Sequence, residues 1–340
     1  MTLKDIAEKA GVSIMTVSNV INGKHSHVSE KTIKKVSEII EKYNYIPNLS
    51  ARTLSNKKSN IIGIIISLDY DADLPNTLEN PYVSTMLGTI EHELRHNGYY
   101  TMVRSIKEKS DAMAFLKNWN VDGMIFLYPI YSKEIQSFVT ASPCPIAMFD
   151  SDLNLPHIIN VCSDDQKGLY LSTKYLIDKG HTHIAFVADY TDNILLTKRF
   201  LGYKQALSEA NIPFRSEYVF HYSPSYEGGI CAGKDISSIP SISAVVTTAD
   251  ICAIGIMEGA RQNGYTLPKD LSIIGYDDLS LCQYLYPKLT SVSQNVTEKA
   301  VLATKLLLKK IYGEPITTSK IKTDVTIVER DSVLSLSHPS

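Results

Sequence analysis

Three polar residues stand where a strand should end or a helix begin: Asp150 after Ile146–Phe149, Arg199 in Lys198-Arg-Phe-Leu-Gly-Tyr203, and Asp277 in Ile274-Gly-Tyr-Asp-Asp278. Carboxylates and a guanidinium facing one cleft can fork onto adjacent sugar hydroxyls, with aromatic faces packing on the ring. The same residue types also cap helices and form structural ion pairs, so spacing alone leaves both readings open. Covalent and metal chemistry find less support. Gly228-Gly-Ile-Cys-Ala-Gly-Lys-Asp235 approaches a phosphate-binding loop, but Asp235 stands where that loop needs a hydroxyl and no clear strand runs into it, so it reads as helix. His181-Thr-His183 has no third ligand nearby and reads as a turn. With no Gly-x-Ser-x-Gly elbow and no His-Glu-x-x-His helix, neither an enzyme nor a metal or cofactor is expected.

The elements that must position those three residues alternate from Ile61 onward. Apolar, β-rich runs fall at Ile61–Ser67, Tyr100–Arg104, Gly123–Tyr128, Ile146–Phe149, Ile184–Ala188, Ala244–Thr248, Ser272–Tyr276 and Val325–Glu329, most of them separated by helical stretches. Repeated strand-helix-strand units imply parallel sheets covered by helices on both faces. About 280 residues suit two such lobes, and ligands of open α/β sheets bind at the carboxyl ends of the strands. The cleft between lobes is therefore the expected ligand site.

The first twenty-two residues, from Met1 to Asn22, read differently: two short helices joined by a tight turn, the pattern of a helix-turn-helix DNA reader. Thr2 with Asp5 forms a capping pair, Gly11 can take the left-handed conformation that ends the first helix, and Ser13 caps the second. Leu3, Ile6, Ala7 and Ala10 face Val17, Val20 and Ile21 at helical spacing. A third helix runs over Val28–Tyr43, capped by Ser29, with Ile33, Val36, Ile40 and Tyr43 on its inner face. Pro47 ends this unit, and Asn48–Lys58 reads as a linker or hinge helix.

Charge follows the same division. The net charge is −2, yet residues 1–60 carry ten Lys or Arg against five Asp or Glu, leaving −7 on the rest. A basic head on an acidic body suits phosphate contact, because neutralising phosphates releases counterions. The length of 340 residues implies two or three domains. The five scattered cysteines lack the paired spacing of redox or zinc sites. The N-terminus is polar and the apolar run Ile61–Ile66 is too short to span a bilayer, so the cytoplasm is the expected compartment.

Thr2–Asn22, Val28–Thr32 and Tyr45-Ile-Pro-Asn48 closely resemble the head of the LacI/GalR family of bacterial transcription regulators. The resemblance extends through Asn80-Pro-Tyr82, Leu176-Ile-Asp-Lys-Gly-His181, Gly202-Tyr203, Leu271–Asp277 and Leu289-Thr-Ser-Val. It implies a helix-turn-helix head over 1–46, a hinge over 47–59, and a periplasmic-binding-protein-like core of two doubly wound parallel-sheet lobes over 60–340. It further implies a homodimer on near-palindromic double-stranded operator DNA, with a small effector, most often a sugar, and no membrane.

Base reading would fall to Ile14 and Met15, through thymine methyls, and to Asn19 by hydrogen bonding. Thr2, Ser18, Asn22, Tyr45 and Asn48 would seat the head on the backbone, Thr16 belongs to the same DNA-binding set, and the hinge, with Ala51, would wedge Leu54 into the minor groove. The loop Gly23–His27 is one residue longer than in a well-known member. The resemblance places Arg199, Asp277, Asp150, Tyr82 and Tyr222 on the effector, and Ala249 where a well-known member has a ligand-binding asparagine. The basic residues with which the family's carbon-catabolite regulator binds a phosphorylated carrier protein are absent around Tyr284-Leu-Tyr-Pro287, which argues against that partner. Three rivals are defined by contrast: a regulator that needs a corepressor, a transport-type sugar-binding protein, which would need an export signal and no DNA head, and an α/β enzyme.

Overall fold

The computed structural model describes residues 1–21, 23–45, 58–67, 77–106, 114, 120–127, 133–151, 153, 155, 158–189 and 193–336. The chain divides into two compact units, Met1–Ser59 and Asn60–Ser340. Asn22 and the hinge residues Asn48, Ala51 and Leu54 lie outside the described residues.

In the first unit, α1 (Leu3–Ala10), α2 (Ile14–Ile21) and α3 (Glu30–Lys42) form where their caps dictate. The Thr2 hydroxyl accepts from the Asp5 amide while the Asp5 carboxylate accepts from the Thr2 amide at 2.8 Å, and Gly11 at φ 65° closes α1. Ser13 Oγ accepts the Thr16 amide at 3.1 Å, and Ser29 Oγ the Thr32 amide at 3.3 Å. Ile6, Ala7, Ala10, Val17, Val20 and Val36 make the buried core. Tyr43, read as an inner residue, is instead 44 % exposed. It is the residue at which α3 ends, and its ring lies under the ammonium groups of Lys9 and Lys42 at 5.0 and 5.7 Å. Tyr45 packs against the core in its place.

Among the described residues the second unit holds two six-stranded sheets. The first has β1 (Ile61–Ser67), β2 (Tyr100–Ile106), β3 (Gly123–Phe126), β4 (Ile146–Phe149), β5 (Ile158–Ser163) and β11 (Lys320–Thr323) in the order β11-β5-β4-β3-β1-β2, all parallel. The second has β6 (Ile184–Val187), β7 (Val219–Phe220), β8 (Ala244–Thr247), β9 (Ser272–Asp277), β10 (Thr290–Ser293) and β12 (Thr326–Val328) in the order β12-β10-β9-β8-β6-β7. Here β12 pairs antiparallel to β10, so this sheet is mixed at one edge. Alternate residues of β1 point to opposite faces: Ile62, Ile64 and Ile66 pack with one cluster and Ile65 with the other.

Helices cover both sheets. Among the described residues they are α4 (Pro81–His96), α5 (Lys133–Thr140), α6 (Asp165–Asp178), α7 (Ile194–Glu209), α8 (Tyr226–Ser237), α9 (Asp250–Gln262) and α10 (Val296–Ile311). The glycines of the near phosphate-loop segment serve packing: a Cβ at Gly229 would meet the Cys252 carbonyl at 2.3 Å, and one at Gly255 the Tyr226 carbonyl at 2.1 Å. Only hydrogen at these positions lets α8 and α9 approach so closely. His181 is a buried residue held by Ser243 Oγ at 2.8 Å and the Leu334 carbonyl at 3.0 Å. No described helix is long and apolar enough to cross a membrane.

Strands β5, β7, β10 and β11 were not expected from the sequence. The Thr-Ser-Val-Ser of β10 is polar, yet Thr290 and Ser291 are fully buried because their hydroxyls are satisfied inside, as by Ser291 donating to Asp250 at 2.6 Å. Strand β5 carries a buried Asn160 that donates to the Ser151 and Leu153 carbonyls. Two residues of β7 are too few to show a period, and β11 is an edge strand rich in lysine.

Among the described residues the chain passes between the lobes three times, at Ser163–Asp165, Ser293–Val296 and Thr323–Thr326. These crossings converge on the carboxyl ends of both sheets, where the cleft lies.

Candidate functional site

A cleft enclosing about 680 Å³ of atom-free space, part of it open to solvent, is lined from the first lobe by Asn80, Pro81, Tyr82, Leu127 and Asp150. The second lobe contributes Leu195, Arg199, Pro224, Thr248, Ala249, Ile251, Asp277 and Leu279, and the second crossing contributes Gln294. The mixture of an apolar lining with a few convergent polar groups suits a small organic ligand. Asn80 reaches it because its side chain caps α4, accepting the Tyr82 amide at 3.0 Å, with Pro81 in the first turn.

The polar floor is a charge network. Arg199 reaches the Asp165 carboxylate through Nε at 2.9 Å and Nη2 at 2.8 Å, and Nη1 donates to the Thr248 carbonyl. Its guanidinium stacks 3.7 Å from the centre of the Tyr276 ring, whose hydroxyl donates to Asp165 at 3.3 Å. Lys299, on α10, bonds both oxygens of Asp150, Ser163 Oγ at 2.8 Å and Gln294 Oε1 at 3.0 Å. Ser163 Oγ donates to Gln294 Oε1 at 2.7 Å, and Gln294 Nε2 donates to Asp277 Oδ1 at 2.5 Å. Two crossings are thus tied to each other and to a carboxylate of each lobe.

Asp150 and Asp277 both end strands in left-handed backbone, at φ 51° and 115°. Such strain persists where surrounding bonds over-determine it, which the network does here. Burial, with Asp250 close by, pushes the Asp277 carboxyl well above the usual carboxylate range. Asp250 lies beneath the floor, accepting from the Leu279 amide at 2.8 Å and from Ser291, and burial pushes it up to about 6.

Of the residues named from sequence for this cleft, Arg199, Asp277, Asp150 and Tyr82 come together in its lining, whereas Tyr222 does not. Its hydroxyl donates to Asp235 on α8 at 2.5 Å, which turns the ring toward that helix. The sequence reading missed Thr248, Gln294, Asp165 and Lys299. A signal existed for Lys299, which lies in the α10 stripe Val296, Ala300, Ala303 and Leu307, where a cation needs a buried partner. Around Tyr284–Pro287 the basic residues are not wholly absent: Lys288 follows directly in the chain, and the fold brings up a second cation, Arg261 of α9, which donates to the Tyr286 carbonyl. Among the described residues no cluster of three or more His, Cys, Asp or Glu could hold a metal.

On the head, Ile14 and Met15 open α2 with 48 % and 70 % exposure. Asn19, one turn further along, is half-buried, as are Thr16 and Ser18. Thr2 is exposed and engaged in its cap.

Residues 2–48 match the model of the lacI family of bacterial regulatory proteins, and residues 173–333 match a periplasmic-binding-protein-like domain. The chain is 31 % identical over 338 residues to catabolite control protein A of Priestia megaterium, covering 98 % of this chain and 99 % of that one. It is 31 % identical to the ribose operon repressor of Haemophilus influenzae over 345 residues, covering 98 % and 99 %. A crystal structure of the Lac repressor dimer bound to operator and an anti-inducer superposes with a TM-score of 0.85 at 26 % identity, covering 98 % and 99 %. The chain belongs to the lacI family of bacterial regulatory proteins. It is a regulator with a two-lobed ligand-binding core, not an enzyme.

Proposed function

We propose that this chain is a cytoplasmic, homodimeric transcription repressor whose affinity for a near-palindromic operator is set by a small carbohydrate bound between the lobes. The carrying observation is the cleft itself, in which Arg199, Asp277 and Gln294 face one space while the crossings that would relay lobe movement are bonded into the same network. The described cations of the floor, Arg199 and Lys299, are already ion-paired to Asp165 and Asp150. That arrangement favours an uncharged polyhydroxylated ligand over a phosphate or carboxylate.

The division into a head over 1–46, a hinge over 47–59 and a core over 60–340 goes with this reading. Ile14 and Met15 touch thymine methyls, Asn19 hydrogen-bonds a base, and Thr2, Thr16, Ser18, Asn22, Tyr45 and Asn48 hold the backbone. Ala51 and Leu54 act in the minor groove. The mechanism is a population shift: the ligand favours one lobe orientation, DNA and the hinge favour the other, and the two affinities are coupled reciprocally.

The test is operator binding at fixed salt, using the DNA upstream of the protein's own gene, titrated with sugars and nucleobases. Release by one sugar is the expected result. Tightening by a ligand would make it a corepressor system, and operator affinity indifferent to every ligand would refute the coupling.

A further inference from the structure

Contrary to the expectation from sequence, a His-Glu-x-x-His run is present on a helix: His92-Glu93-Leu94-Arg95-His96 forms the last turns of α4. Residues four apart share a helix face, and both histidines are exposed, with ring centres 4.3 Å apart and planes tilted by 45°. A carbonyl can only accept, so the 2.8 Å contact of His96 Nδ1 with the His92 carbonyl requires a proton on Nδ1 and puts the lone pair of the neutral ring on Nε2. Metal-bound histidines are held in the same way, with the second ring nitrogen donating to a carbonyl. Two imidazoles binding one ion at about 2.0–2.1 Å, and at about a right angle, would have ring centres roughly 4.5 Å apart. That matches the spacing seen. Arg95, the cation between them, is drawn aside to Glu91 at 3.1 Å. The C-terminal end of a helix also carries partial negative charge, which favours a cation. Among the described residues no third His, Cys, Asp or Glu completes a cluster, and neither histidine lines the cleft between the lobes. The run therefore lacks what metal-assisted hydrolysis needs, and the chemistry left to it is binding.

We propose that His92 and His96 chelate one divalent transition-metal ion at the end of α4, with water filling its remaining positions. Imidazole ligands suit Cu²⁺, Ni²⁺ and Zn²⁺, and Cu²⁺ binds such a nitrogen pair more tightly than the other two do. The site stands apart from the cleft and does not depend on what the cleft binds.

The full-length protein, freed of metal with a chelator, is titrated calorimetrically with CuCl₂, NiCl₂ and ZnCl₂ as wild type, His92→Asn, His96→Asn and His27→Asn. The last variant controls for the exposed histidines of the head, His25 and His27. The expected result is one tight Cu²⁺ site per chain, weakened at least about tenfold in His92→Asn and in His96→Asn, since either change leaves one ligand where two acted together. His27→Asn should keep that site. Electron paramagnetic resonance of the one-to-one Cu²⁺ complex should show two coordinated imidazole nitrogens in wild type and one in each α4 variant. Both α4 substitutions fall on exposed side chains, so their metal-free melting temperatures should stay near that of wild type. Uptake that is equal in wild type and both α4 variants is an adventitious ion only and overturns the inference, as does a wild type that takes up none of the three ions.

Discussion

Lys299 Nζ lies 2.7 and 2.5 Å from the two carboxylate oxygens of Asp150, with no solvent exposure on the lysine. The pair joins the first turns of α10 to the end of β4, and through Ser163 and Gln294 it holds two of the three lobe crossings. Removing one partner of such a pair leaves a buried charge unmatched, which is far worse than removing both.

Lys299→Met should therefore destabilise the protein by about 3–5 kcal/mol, and adding Asp150→Asn should recover a substantial part of that. Urea unfolding of the two single variants and the double variant closes the cycle. Strictly additive losses would show that the contact carries no coupling.

His181 gives a pH dependence with a definite sign. Burial holds its pKa below the ordinary value of 6.5, and the Leu334 carbonyl requires a proton on Nε2, leaving Nδ1 to accept from Ser243. The unfolded chain thus binds a proton at a higher pH than the folded one does. This contribution is fully present above about pH 6.5 and is lost as the pH falls toward the lower folded value, at no more than about 1.4 kcal/mol per pH unit. Comparing urea midpoints at pH 7.5 and 5.5 for wild type and His181→Asn should show a smaller acid loss in the variant. Equal losses would place the acid sensitivity elsewhere.

Helix caps, the Ile-rich β1 and the order of strands and helices are written in local residue types, which is why Thr2, Gly11 and Ser29 and the two-lobed class are readable without coordinates. The floor of the cleft is not local. Asp165 matters because Arg199 arrives 34 residues later, and Ser163 because Gln294 arrives 131 residues later. Strand β10 hid for a related reason: its threonine and serines look like loop until Asp250 and Ser332 supply their partners. Tyr43 misled in the other direction, since the helical period that points it inward ends at that very residue.

Gly255 is the tightest point between α8 and α9, with its missing Cβ only 2.1 Å from the Tyr226 carbonyl. That neighbour is backbone and cannot rotate away. Gly255→Ala should push the helices apart and lower stability by about 1–3 kcal/mol or more, against the usual small gain of alanine over glycine in a helix. A melting temperature equal to or above wild type would mean that the helices have room to spare.

The head offers two apolar side chains where base reading is proposed, and neither Ile14 nor Met15 can hydrogen-bond through its side chain. Discrimination by hydrogen bonding then falls on Asn19, whose amide can pair with adenine in the major groove. Asn19→Ala should relax preference at one base pair by about 1–3 kcal/mol, roughly tenfold or more, and leave the salt dependence of binding nearly unchanged because no phosphate contact is lost. Selection from a randomised operator library, run at two salt concentrations, separates these effects. An unchanged base preference would remove Asn19 from the reading set, and a changed salt slope with intact preference would move it to the phosphate backbone.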